Sequence, residues 1–153
     1  MELERQSLAV LQQFGRTYRA YASAFEQCVG LPMPRWRILY ALYNDAEPIA
    51  QKPLADRVAM DPGALTRQLK ALQELGWVER NTSERDNRVT HVTLSAAGRE
   101  VVARNLPRRS AFLQDVLDKV TADKLEHLSE GLQQLEAGIA EALARVRDAE
   151  DVA

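Results

Sequence analysis

The sequence predicts a mainly α fold with one small β-hairpin. Apolar residues recur at helical spacing in both terminal regions and in three shorter central segments, whereas only Trp77 to Leu94 sets β-formers on either side of a turn. The chain has 153 residues, 46% hydrophobic and 27% charged, which predicts one domain over 1–153 with helical extensions.

Each element has a local cause. Leu11, Phe14, Tyr18, Tyr21, Phe25 and Cys28 alternate spacings of three and four, lining one face of a first helix over residues 1–30 that Gly30 and Pro32 end. A second helix runs from Arg35 to Tyr43, up to the break Asn44-Asp45-Ala46-Glu47-Pro48. Leu54, Ala55, Val58 and Ala59 mark a short amphipathic helix from Lys52 to Met60, followed by a turn at Met60-Asp61-Pro62-Gly63. Leu65, Leu69, Leu72 and Leu75 share one face of the next helix, with Asp61 suited to cap it, Pro62 to open it and Gly76 to end it. Strands at Trp77 to Arg80 and Val89 to Leu94 flank a tip from Ser83 to Arg88. Ser95 caps a further helix, which Pro107 is expected to interrupt, with a restart near Arg108. Leu125, Leu128, Leu132, Leu135, Ile139, Ala142 and Val146 then repeat the seam over three heptads, so a last helical segment spans 108–147 and leaves 148–153 as a loose tail.

Composition excludes several functions. One cysteine, Cys28, and two histidines, His91 and His127, in different elements supply neither a disulfide framework nor a metal site. Isolated Gly63 and Gly76 do not make a phosphate cradle, and no nucleophile–base pair stands out, so the chain is not expected to be an enzyme or to hold a cofactor. The N-terminus lacks the basic-then-apolar pattern of an export signal and no apolar run is long enough for a bilayer, so a cytoplasmic location without a membrane partner is expected.

The net charge of -2 hides a polarity. Lys52 to Arg109 holds eleven Lys and Arg against seven Asp and Glu, while the rest of the chain is acidic, as expected if the centre meets phosphate. Two short helices joined by a tight turn have the layout of a helix-turn-helix, whose second helix enters the major groove of double-stranded DNA. Asp61, Pro62, Gly63, Ala64, Thr66, Arg67, Gln68 and Lys70 form its first turns and outer face, small near the N-terminus and then rich in donors. The hairpin follows at once, so Arg85 and Arg88 are placed to reach an adjacent minor groove, with Asp86 between them to hold an arginine by a charge-assisted bond. Together they predict a winged helix-turn-helix over 48–98. A protein-interaction module that uses this fold without DNA is the alternative, and it would need an acidic or apolar outer face.

The segment LADRVAMDPGALTRQLKALQELGWVERNTSERDNRVTHVTLSAAG resembles the winged helix of MarR-type transcriptional regulators. It carries the wing signature Asp-x-Arg at Asp86 to Arg88 and the following Leu-Ser/Thr-x-x-Gly at Leu94 to Gly98. The first and last helices are similar to the dimerisation helices of that family, so the resemblance covers nearly the whole chain. It implies a homodimer whose seam includes Leu11, Phe14, Tyr18, Tyr21, Leu128, Leu132, Leu135 and Ile139, although patterning alone leaves open packing of the two seams within one subunit. It further implies a repressor, released from a pseudo-palindromic operator by a small aromatic carboxylate or phenolic effector. By position, Arg16, Trp36 and Tyr40 are similar to pocket-lining residues: an arginine for the carboxylate and rings for stacking. Some relatives sense peroxide through a first-helix cysteine, but Cys28 lies on an apolar face without a basic neighbour in sequence, which predicts a buried structural role.

Overall fold

The computed structural model describes residues 2–151. Along the chain run α1 (Glu2–Val29), α2 (Met33–Tyr43), β1 (Ile49–Ala50), α3 (Gln51–Arg57), α4 (Pro62–Glu74), β2 (Val78–Thr82), β3 (Thr90–Leu94), α5 (Ala96–Leu117) and α6 (Ala122–Asp151). The mainly helical class with a small antiparallel sheet is as the sequence predicts.

The helix-turn-helix is held from both sides. Leu65, Leu69 and Leu72 of α4 are fully buried together with Leu54 of α3 and Ile38 and Leu39 of α2. Each such side chain contributes about 1.5–3 kcal/mol through burial, which fixes the face that α4 turns inward and therefore the face it leaves outside. At the N-terminus of α4 the Asp61 carboxylate accepts a hydrogen bond from the Ala64 amide at 3.0 Å, with Pro62 next in line. Gly76 ends the helix in the left-handed region at φ +73. The turn before α4 carries Ala59 at φ 47, a conformation that glycine adopts more cheaply.

β2 and β3 pair antiparallel from Val78 opposite Leu94 to Thr82 opposite Thr90. Ser95 ties the root of this hairpin to α5. Its amide donates to the Trp77 carbonyl at 3.1 Å, its hydroxyl donates to the Gly76 carbonyl at 2.6 Å, and the same oxygen accepts from the Gly98 amide at 3.0 Å. The backbones approach so closely that a Cβ on Gly98 would stand 2.0 Å from the Trp77 carbonyl oxygen. The spacing Leu-Ser-x-x-Gly is therefore a cap and a close contact in one turn of helix.

Five features differ from expectation. Ile49 and Ala50 form a third strand, pairing with Val92 and His91 of β3, because a buried isoleucine at the sheet edge completes the cover over Val92. α3 ends at Arg57 and not Met60, since the left-handed Ala59 cannot continue it. α5 runs unbroken through Pro107. The amide that proline lacks would have bonded the Ala103 carbonyl, and Ala103 is exposed, so water can take its place. Helix α6 continues to Asp151, so the loose tail expected from residue 148 is helical as far as the described residues go. Finally, contacts divide the chain into two compact units, Met1–Phe112 and Leu113–Ala153, where the length predicts one.

The seams also resolve. On α1, Leu11 and Phe14 are 44% and 48% exposed, whereas Phe25 and Val29 are buried in the first unit. Tyr21 packs against the rings of Phe25 and Phe112, at 6.1 and 5.6 Å, so part of the predicted seam is spent within the chain. In α6 every described side chain from 122 to 149 is exposed, including Leu128, Leu132, Leu135 and Ile139.

Candidate nucleic-acid interface and adjoining cavity

Burial of its leucine stripe turns the rest of α4 outward. Asp61, Pro62, Gly63, Thr66, Arg67 and Lys70 are exposed, while Ala64 and Gln68 are half-buried. Among the described residues no hydrogen bond or ion pair engages the side chains of Arg67, Lys70, Arg85 or Arg88. All four are exposed, two on the helix and two at the hairpin tip. Unpaired cations keep their full attraction for phosphate, with no carboxylate to be displaced first.

Two residues on this face are more constrained than their types suggest. The Thr66 hydroxyl donates to the Pro62 carbonyl at 2.9 Å and accepts from the Gln51 amide at 2.6 Å, so its one proton is already used. The Oε1 of Gln68 is buried without a partner, leaving only the other end of that amide for the outside. Gln51 was not among the predicted site residues; it lies fifteen residues earlier, and nothing in a linear reading brings it to Thr66.

At the tip, Asp86 acts on backbone. Its Oδ1 accepts from the Arg88 amide at 2.9 Å, and Ser83 accepts from the amides of Arg85 and Asp86 at 3.3 and 3.4 Å. The expected bond from Asp86 to an arginine side chain is not formed. A carboxylate two residues before an amide closes a tight turn at small entropic cost, whereas an arginine pair would order two side chains at the surface. The turn leaves both guanidinium groups free to extend.

Behind the helix-turn-helix lies a cavity of about 610 Å3 with walls from α1, α2, α3 and α5. Trp36 and Tyr40 meet there as expected, stacked with centroids 5.5 Å apart and planes at 15°. The arginine beside them is Arg109, whose guanidinium carbon stands 4.7 Å from the Tyr40 centroid. Arg16, expected in this position, is an exposed residue that donates to Gln13 at 2.8 Å and does not line the cavity. A helical rotation explains the exchange: Tyr18, Tyr21 and Phe25 take the inward positions of α1, and Arg16 falls off that face. Arg109 sits three residues before buried Phe112, so the apolar period of α5 carried its signal, masked by the break expected at Pro107.

Two further arginines of the cavity are already engaged. Arg37 donates to the Val58 carbonyl at the end of α3, and Arg57 pairs with Asp45. Cys28, expected to be buried, is exposed, because Val29 takes the last inward position of α1. Among the described residues no group of three or more His, Cys, Asp or Glu is placed to hold a metal ion, and no helix is long and apolar enough to cross a membrane.

Comparison with known proteins identifies this arrangement. Residues 31–90 match the MarR family model. The chain is 32% identical over 130 residues to the uncharacterized HTH-type transcriptional regulator YdgJ of Bacillus subtilis (strain 168), covering 85% of this chain and 79% of that protein. Its fold is similar to that of a MarR mutant from E. coli complexed with operator DNA, with a TM-score of 0.75, 21% identity and coverage of 85% and 95%. It is likewise similar to Bordetella bronchiseptica BpsR, solved in connection with regulation of its DNA binding by 6-hydroxynicotinic acid, with a TM-score of 0.73, 18% identity and coverage of 84% and 98%. These relatives are transcriptional regulators and not enzymes. The chain belongs to the MarR family of winged helix-turn-helix transcriptional regulators.

Proposed function

We propose that this regulator is a cytoplasmic homodimer that binds a pseudo-palindromic operator and represses transcription until a small aromatic acid enters the cavity beside α2. The observation that carries the DNA reading is the set of four unpaired, exposed cations, Arg67 and Lys70 on α4 with Arg85 and Arg88 on the wing. A helix in the major groove and a wing over the neighbouring minor groove would use them in that order, Asp61 to Ala64 permitting close approach at the helix start. The exposed stripe of α6, with Ile139 at 60% and Leu128 at 57%, supports the dimer, since a seam of this kind is stable when a second copy covers it.

The effector reading rests on Trp36, Tyr40 and Arg109. A planar carboxylate lying against the Trp36–Tyr40 pair would meet in Arg109 a guanidinium held by no carboxylate of the chain among the described residues. The cavity is walled by the first helix and by both helices around the helix-turn-helix, so an occupant with higher affinity for one spacing of the recognition helices would shift the dimer away from the ~34–36 Å that successive half-sites require. The operator structure of the E. coli relative and the aromatic acid that regulates BpsR favour the same assignment.

Fluorescence-anisotropy titration of DNA from upstream of the protein's own gene tests it, at two salt concentrations and with a panel of aromatic carboxylates. Tight, salt-sensitive binding relieved by one acid, with relief lost in Arg109→Gln, is expected. Equal affinity for the upstream DNA and for random DNA would refute the operator. Relief that persists in Arg109→Gln would remove that residue from the effector site.

A further inference from the structure

A second cavity, of about 400 Å3, opens on α5 apart from the first. Its floor is apolar, made by the buried side chains of Leu31 and Val101, and Trp77 forms one wall. Arg104 and Arg108 line it from one helix, four residues apart, so their side chains stand on the same face. Among the described residues neither guanidinium has a hydrogen bond or an ion pair. Asn105 between them is 7% exposed and donates to the Val101 carbonyl at 2.8 Å, while its Oδ1 accepts no bond from the chain.

The contrast with the first cavity is chemical. There Arg37 is hydrogen-bonded to a carbonyl and Arg57 is paired with a carboxylate; here two like charges line one space without an opposing group. Like charges at this spacing repel, and an anion between them turns the repulsion into two attractions. Arg108 also leans over the joint between α1 and α2: its Nη1 stands 3.4 Å from where a Cβ of Gly30 would be, and Gly30 holds a left-handed φ of +85. Trp77 belongs to the root of the wing.

We propose that this cavity binds a small organic dianion, a phosphate monoester or a dicarboxylate, with its charge clamped by Arg104 and Arg108 and its apolar body against Trp77 and Leu31. Asn105 accepts a hydrogen bond from a ligand hydroxyl. An occupant bridges α5, the α1–α2 joint and the wing root, and so it stiffens the connection between the first helix and the winged helix. The proposal stands whether or not the first cavity takes an effector.

The two tryptophans of the chain separate the two sites, Trp36 lying in the first cavity and Trp77 in the second. In Trp36→Phe, emission reports Trp77 alone. Titration with phenyl phosphate and with phthalate is expected to change that emission saturably, with benzoate at least about tenfold weaker and phenol without effect, as the loss of one charge-assisted contact implies. Calorimetric titration of Arg109→Gln, which keeps both tryptophans and lacks the first cavity's free guanidinium, repeats the measurement without the tryptophan change. Added to either background, Arg104→Gln/Arg108→Gln should abolish both responses while the circular dichroism spectrum is unchanged. Whichever of the two dianions binds names the source. The proposal is overturned by no saturable response to either, by an equal response in the double variant, or by a double variant that loses its dimer, which would assign both guanidinium groups to a contact between subunits.

Discussion

Gly98→Ala isolates the contact that seats the wing root on α5. Within a helix the change alone favours alanine by about 0.8–1.0 kcal/mol. Here the new Cβ stands 2.0 Å from the Trp77 carbonyl oxygen and 3.1 Å from Leu94 Cδ2, so the backbones must part by at least ~1 Å to reach a tolerable distance. Two bonds cross that gap, from the Ser95 amide and hydroxyl to the carbonyls of Trp77 and Gly76, at 3.1 and 2.6 Å. Losing both costs about 2 kcal/mol net, and leaving a carbonyl part-buried without a partner adds about 1–3 kcal/mol. Set against the helical gain, the variant should be less stable by about 2–4 kcal/mol, a melting temperature lower by roughly 4–16 °C for a chain of this size. Urea denaturation followed by circular dichroism reads the difference directly. A variant within about 0.5 kcal/mol of the parent, or more stable, would show that propensity outweighs the contact and that the approach of α5 to the wing root is not a close one.

Three other substitutions test separate parts of the molecule. Ala59→Gly relieves a left-handed alanine in the turn before α4 and should stabilise the chain by up to about 1 kcal/mol, measured by thermal melting; a loss of stability would contradict the strain. Ile139→Asp charges the middle of the exposed α6 stripe twice per dimer. At about 1.5–3 kcal/mol per buried side chain, sedimentation should show dimer affinity lower by roughly 10² to 10⁴-fold, and an unchanged sedimentation profile would place the subunit contact elsewhere. Arg88→Ala removes one free cation from the wing tip and should lower the salt slope of operator binding by about 1 at every operator sequence, whereas an unaltered slope would take Arg88 off the DNA.

Much of the architecture was legible because its causes are local. The cap at Asp61, the stop at Gly76 and the cap at Ser95 are set by the residue type and its place relative to an apolar stripe, and each forms as expected. What escaped depends on contacts distant in sequence. Ile49 and Ala50 are too short a pair to announce a strand, and only β3 makes them one. Pro107 reads as a break until the fold shows Ala103, one turn earlier, to be an exposed residue. Arg16 reads as the partner of the Trp36–Tyr40 pair, and a linear pattern cannot show that Arg109, far along the chain on α5, takes that place in the fold. Gln51 finds Thr66 only across the fold.

If α4 reads DNA as proposed, the buried oxygen of Gln68 narrows what that helix can distinguish. Pairing of a glutamine with adenine uses both ends of the amide at once, and with one end inside the protein that pairing is closed whichever way the amide faces. Thr66 has no proton to offer, so its methyl group is what it can present, and a thymine methyl is the matching surface. Arg67 and Lys70 remain as pure donors, suited to the two acceptors of guanine. Operators for such a helix would be strict where guanine is read and permissive at adenine. Drift of a half-site should follow that asymmetry, with guanine positions fixed and their neighbours free to vary.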